Sequence, residues 1–131
     1  MKKILFTLVV LLGFLSVHAQ TTTTPQPVDI AKVLKFTNDN FDMGKIVFGK
    51  PTEFTVDIEN ISNAAITLDN VMVGCGCTTP RYTKGEIAPG AHASVVLGFN
   101  GSSLGNFSKS ATIFFSGNLT KAVSFHGVGV Q

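Results

Sequence analysis

The chain has 131 residues, of which 44% are hydrophobic, with two cysteines and a formal net charge of +2. Lys2 and Lys3 fall in the N-terminal leader described below, so of ten basic and eight acidic residues the rest keeps eight of each and is formally neutral. That balance leaves no basic cluster that would bind nucleic acid or an anionic membrane surface, and the length suits one small domain.

Met1-Lys2-Lys3 is a short positive region, Ile4 to Leu15 is almost wholly apolar, and Val17-His18-Ala19 ends the run. This is the pattern of a secretory signal peptide over residues 1–19, cut after Ala19. The apolar run is about a dozen residues, short of the ~20 that a spanning helix needs, so no stable membrane span is expected after cleavage. No Cys follows it to take a lipid, and the Lys-Lys start has a bacterial character. The expected location is outside the cytoplasm, either periplasmic or secreted. Gln20 to Asp29 reads QTTTTPQPVD, too polar and too rich in Pro to build a core. Residues 20–31 are expected to form a flexible leader and residues 32–131 the domain.

From Val33 onward the dominant period is two. In Glu53 to Asn60, Phe54, Val56 and Ile58 share one face while Glu53, Thr55, Asp57 and Glu59 share the other. That is the signature of a half-buried antiparallel strand. Ala93, Val95, Leu97 and Phe99 repeat it, as do Ala111, Ile113 and Phe115, and then Val123 and Phe125. Ala65 to Val73 is also strand-like, but Ile66 and Leu68 differ in parity from Val71 and Val73, which predicts a bulge near Asn70. Lys35 to Ile46 reads as a less regular first strand, broken at Asn38-Asp39-Asn40 and at Gly44. Ala88-Pro89-Gly90 carries Pro and Gly at the central positions of a type II turn. Asn100-Gly101-Ser102-Ser103 and Ser116-Gly117-Asn118 are loops of the kind that join antiparallel strands. Six or seven short strands with several Phe to bury predict an all-β sandwich of two antiparallel sheets, the alternative being a small β-barrel. Asn60, Asn100, Asn106 and Asn118 each begin an Asn-X-Ser/Thr triplet, read here as turn asparagines beside β-forming hydroxyl residues.

FDMGKIVFGK at Phe41 to Lys50, the alternating strand that closes on Glu59-Asn60, VMVGCGCTTP at Val71 to Pro80, Ile87-Ala88-Pro89-Gly90, and Gly105-Asn106-Phe107-Ser108-Lys109 occur in that order. The ordered set resembles the bacterial domain-of-unknown-function 1573 family, whose hallmark is Cys-Gly-Cys-Thr. Met43 replaces a usual Phe, Gly74 stands where Ser is common, and Gly117 lengthens the final hairpin. The resemblance implies an exported immunoglobulin-like sandwich of about seven strands, with relatives among domains of cilia- and sperm-associated proteins. It carries over no catalytic residue.

The chemistry-bearing residues are few. Gly-x-Ser-x-Gly and His-Glu-x-x-His are absent from the sequence. Asp57 and Glu59 share an outer strand face and read as solubilising. Cys75-Gly76-Cys77 admits a structural reading, a metal reading with His92 or His126 completing a soft site for Cu(I) or Zn, and a thiol–disulfide exchange reading. His92 and His126 are most simply solvent-facing strand residues. Arg81 and Tyr82 are read as an ordinary loop after the motif that could supply a contact patch. In an extended strand the Cα atoms of Cys75 and Cys77 would lie ~6.6–6.8 Å apart, the outer limit for a disulfide. Gly76 would let the chain fold tighter, and an oxidising compartment would then close the pair. Thiols left free would instead offer a soft metal site. Together these features predict a non-enzymatic exported domain with a structural or protein-binding role and no cofactor of its own. The alternative is a small periplasmic metal-binding or thiol-redox protein. No protein partner can be named from the sequence.

Intact-mass analysis of the exported protein should show a chain that starts at Gln20. A retained Met1 on the extracytoplasmic protein would refute cleavage.

Overall fold

In the computed structural model, residues 26–131 are described, so the signal peptide and most of the Thr-rich leader lie outside the described residues. Asp29 caps a single 3-10 turn, Ile30–Lys32, by accepting the amide of Ala31 at 3.1 Å. Ile30 and Val33 then pack on the core, so the domain is anchored from this turn onward. Nine strands follow among the described residues: β1 (Leu34–Thr37), β2 (Asn40–Val47), β3 (Thr52–Asn60), β4 (Ile66–Val73), β5 (Thr78–Tyr82), β6 (Gly85–Ile87), β7 (His92–Phe99), β8 (Gly105–Phe115) and β9 (Leu119–Val130).

The alternating apolar positions are the buried ones: Phe54, Val56 and Ile58 in β3, Val95, Leu97 and Phe99 in β7, Ala111, Ile113 and Phe115 in β8, Val123 and Phe125 in β9. They point inward from two separate sheets, a four-stranded one ordered β1-β3-β7-β5 and a five-stranded one ordered β2-β9-β8-β4-β6. Two sheets with their own edges make a sandwich, not the alternative barrel. One cluster holds the whole buried apolar set. A run of rings crosses it: Phe41 on Phe54 at 4.6 Å, Phe54 to Phe125 at 5.4 Å, Phe125 to Phe99 at 5.8 Å, and Phe99 to Phe107 at 4.8 Å. Such offset and tilted pairs add to the burial of each ring.

Two expectations are corrected. The irregular first strand is two strands on different sheets. β1 pairs antiparallel with β3, whereas β2 pairs parallel with β9. Asn38, with φ at 64°, turns the chain across the gap, and its amide donates to Thr55 O at 3.1 Å. Ser124 N–H then captures Asp39 O at 2.8 Å and starts the parallel ladder. The break expected at Gly44 is present, as a bulge within β2: the register shifts between Asp42 and Lys45, Gly44 takes a φ of 66°, and its N–H bonds Asp42 Oδ1 at 2.8 Å. Second, the stretch read as a loop around Arg81 and Tyr82 contains β5 and β6, one on each sheet, which raises the count from about seven strands to nine. Pro80 is tolerated in β5 because that strand is a sheet edge.

Two other local expectations hold. The β4–β8 register slips between Leu68 and Asn70, so that Leu68 and Val71 both reach the core. The Pro-Gly turn closes with Ala91 N–H on Ala88 O at 2.9 Å and Gly90 at φ 76°.

Asn60 and Thr78 are the buried polar residues among those described. The Asn60 side-chain amide donates to Ala64 O and to Ile87 O, both at 2.8 Å, and its oxygen accepts from Ser62 N–H at 3.0 Å and Ser62 Oγ at 2.7 Å. Asn60→Ala leaves the buried Ile87 carbonyl unpaired and opens a void at a fully buried position, so it should cost roughly 2–4 kcal/mol in urea denaturation. Ser62→Ala, at the exposed end of the same network, should cost no more than about 1.5 kcal/mol.

Candidate functional site

The Cys-Gly-Cys segment is the link by which the chain leaves one sheet for the other. β4 belongs to the five-stranded sheet and β5 to the four-stranded sheet, and residues 74–77 join them. Gly74 N–H still bonds Ser110 O of β8 at 3.3 Å, extending the β4–β8 ladder by one step. Cys77 O accepts from Asn100 N–H at 3.0 Å, just beyond β7. Between these anchors Thr78 N–H bonds back to Cys75 O at 3.4 Å, which curls the link into a turn.

That turn brings Cys75 and Cys77 together as a disulfide with Cα atoms 5.3 Å apart, well inside the extended-strand separation. Gly76 is not what permits it. Its φ lies outside the left-handed region, and an added Cβ would meet nothing within 4 Å. The curl comes from the backbone bonds on either side. Cys75 and Cys77 are both half-buried, but differently: Cys77 packs against the core, whereas Cys75 opens onto a surface concavity of about 200 Å³ lined also by Gly74, Ser108, Lys109 and Ser110. The residue that sequence reasoning missed is Thr78. It is buried, and its hydroxyl lies 3.8 Å from Cys75 Sγ and 3.7 Å from Cys77 Sγ. The only signal for it was its place directly after the second Cys.

Neither histidine joins the sulfurs. β5 pairs with β7 so that Thr78 faces Phe99, and His92 lies seven residues away at the far end of β7. At ~3.3 Å per residue that is about 23 Å. His92 Nδ1 sits 2.9 Å from Asp57 Oδ2, and His126 Nε2 lies 4.0 Å from Asp42 Oδ1, both on solvent-facing strand surfaces. Among the described residues no three of His, Cys, Asp and Glu gather in one place. With both sulfurs in a disulfide, the pair presents no thiolate to Cu(I) or Zn until it is reduced. Arg81 pairs with Glu53 at 2.6 Å as an exposed tie within one sheet, while Tyr82, half-buried against the core, donates to Asn70 Oδ1 at 2.8 Å and links the two sheets. An exposed ion pair such as Arg81–Glu53 contributes little to stability.

A family model described as "Protein of unknown function (DUF1573)" matches residues 34–128. No curated protein matches the chain. A protein of unknown function from Porphyromonas gingivalis is similar in structure with a TM-score of 0.62 at 15% identity, over 73% of this chain and 46% of that one. The chain therefore spans about half the length of that relative. The ASH / PapD-like domain of human CEP192 is similar at a TM-score of 0.61 and 11% identity, over 86% of this chain and 96% of that one. An MSP family member from C. elegans is similar at 0.54 and 6% identity, over 76% and 99% of the two chains. These likenesses establish an immunoglobulin-like, PapD-like sandwich. No helix among the described residues is long and apolar enough to cross a membrane.

A disulfide that closes so short a loop restrains the unfolded chain little, worth no more than about 2 kcal/mol on the loop-entropy scale. The Cys75→Ser, Cys77→Ser double variant should therefore fold and lose less than that in urea denaturation. A loss above about 4 kcal/mol would show that the bridge is a main support of the fold.

Proposed function

The chain belongs to the DUF1573 family of proteins of unknown function, and from that premise we propose that it is an exported, non-catalytic domain that docks a protein partner on one end of its β2 edge. One observation carries this reading. Val47, Phe48, Leu104 and Val128 are 49%, 52%, 53% and 36% exposed, and the backbone pairings set them on neighbouring stretches of chain. Val47 is paired with Val130 and Lys45 with Val128, Phe48 N–H bonds Val130 O at 2.7 Å, and Leu104 precedes Gly105, which faces Gly129. Large exposed apolar side chains grouped beside a sheet edge are the kind of surface that takes up a partner, by packing and by strand addition.

The other edges are poorer candidates for strand addition. β1 and β6 are four and three residues long, and β5 carries Pro80 and the charged Arg81. β2, at eight residues, is the longest edge, and its Lys45–Val47 segment beyond the bulge is regular. The non-catalytic half of the reading rests on burial. The buried polar side chains are Asn60 and Thr78, so no ionisable group among the described residues sits in the desolvated setting that acid–base catalysis uses. Export rests on the leader sequence alone.

A photoreactive phenylalanine analogue at position 48 of the exported protein should crosslink to one recurrent protein. The same analogue at Glu86, on the opposite edge of that sheet, should not. Leu104→Asp should reduce the position-48 adduct about tenfold, the loss of one well-packed apolar contact. Identical adducts from both positions, or adducts only to other copies of this chain, would overturn the reading.

A further inference from the structure

Cys75, Lys109 and Thr78 make a constellation that partner docking does not use. The ladder step from Gly74 to Ser110 continues the register in which Val73 faces Ala111, and it leaves Cys75 at the end of β4 beside the part of β8 that holds Lys109. Cys75 and Lys109 both border one open concavity, whose other lining residues are Gly74, Ser108 and Ser110, with no carboxylate among them. Lys109 forms no ion pair with any described residue. Beneath the bridge, the buried Thr78 hydroxyl stands within 3.8 Å of both sulfurs. Above it, the space around Gly76 is empty.

We propose that Cys75–Cys77 is a thiol–disulfide exchange site for small thiols that carry a carboxylate. The Lys109 ammonium attracts the carboxylate into the concavity and places the thiol beside Cys75. The incoming thiolate attacks Cys75 Sγ, on the residue that borders the concavity, and forms a mixed disulfide. The Cys75–Cys77 bond breaks, and its electron pair leaves on Cys77 Sγ. The Thr78 hydroxyl turns to donate a hydrogen bond to that thiolate, which then takes a proton from water. A second small thiol attacks the mixed disulfide at the small molecule's own sulfur and releases Cys75 as a thiolate, which is protonated in turn. Two electrons and two protons move in all: two small thiols become one symmetric disulfide, and the protein's bridge becomes two thiols. The reverse sequence reoxidises the protein. A cation beside the attacked sulfur and a donor at the leaving sulfur are the features that make exchange fast. The short loop adds little chain entropy to hold the bridge closed.

The test measures the rate of bridge opening in the folded protein, by acid quench, thiol alkylation and intact mass. The probes are 3-mercaptopropionate, 2-mercaptoethanol and cysteamine, compared at equal thiolate concentration. The anionic thiol should react about fivefold faster than the cationic one, as expected for a partly exposed charge contact, with the neutral thiol between them. Lys109→Gln should bring all three rates together without altering the circular dichroism spectrum. Thr78→Val should slow all three about tenfold through loss of a hydrogen bond to a charged sulfur, while Thr78→Ser should keep the wild-type rates. Rates independent of thiol charge in the wild-type protein would overturn the carboxylate-thiol assignment. Opening only in denaturant that unfolds the chain would overturn the site altogether. Partner crosslinking at position 48 is unaffected by either result.

Discussion

Asn60 ties the end of β3 to two other stretches, the adjacent residues 62–64 and the distant residues 87–91. Its backbone N–H bonds Ala91 O at 3.0 Å and its carbonyl accepts from Gly90 at 2.8 Å, which docks the Pro-Gly turn onto the end of β3. Its side chain bonds Ala64 O and Ile87 O, which fixes the β3–β4 connection and the end of β6. β3 and β7 belong to one sheet, β4 and β6 to the other. A fully buried amide has no water to fall back on, so all these partners must be present at once. That requirement sets where β4 starts and how the two sheets meet at this end of the sandwich.

At the opposite end a chain crossing, with the buried Thr78 hydroxyl beneath it, links the sheets. The β4-to-β5 link passes from the five-stranded to the four-stranded sheet within four residues, 74–77. Its ends are bonded to Ser110 on one sheet and to Asn100, just past β7, on the other. A segment so short cannot remain extended while it changes sheets. The curl that results places the two cysteines side by side, so the disulfide is a consequence of the crossing as well as a restraint on it. The Thr78 hydroxyl lies under the bridge because β5 must start inward-facing, opposite Phe99, as soon as the link ends.

This end of the sandwich also carries the exposed apolar patch. Gly49 N–H bonds Gly101 O at 3.0 Å, which draws the β2–β3 connection against the β7–β8 connection, and the latter bonds Cys77 through Asn100. Connections on a rigid two-sheet scaffold are where binding and chemistry are usually carried. The patch and the disulfide thus share a pole, while the Asn60 network stabilises the other.

The sequence by itself determined the elements whose signal is local. Period two placed β3, β7, β8 and β9, the parity change within 65–73 located the β4 bulge, and Ala88-Pro89-Gly90 specified its own turn. Two cysteines separated by one residue could bond only each other within the chain. What only the tertiary structure decided was non-local. A strand of three to five residues such as β5 or β6 is too short to display a period, and it exists because a neighbouring strand offers hydrogen bonds. The assignment of β1 and β2 to different sheets, and the parallel pairing of β2, depend on where β3 and β9 lie when the chain turns at Asn38. Asn60 looked like a turn residue, because nothing adjacent in sequence reveals that Ile87, 27 residues later, will supply its partner. Lys109 and Cys75 likewise come to border one concavity only because β4 pairs with β8, since a side chain's position is local but its surroundings are set by which strands pair.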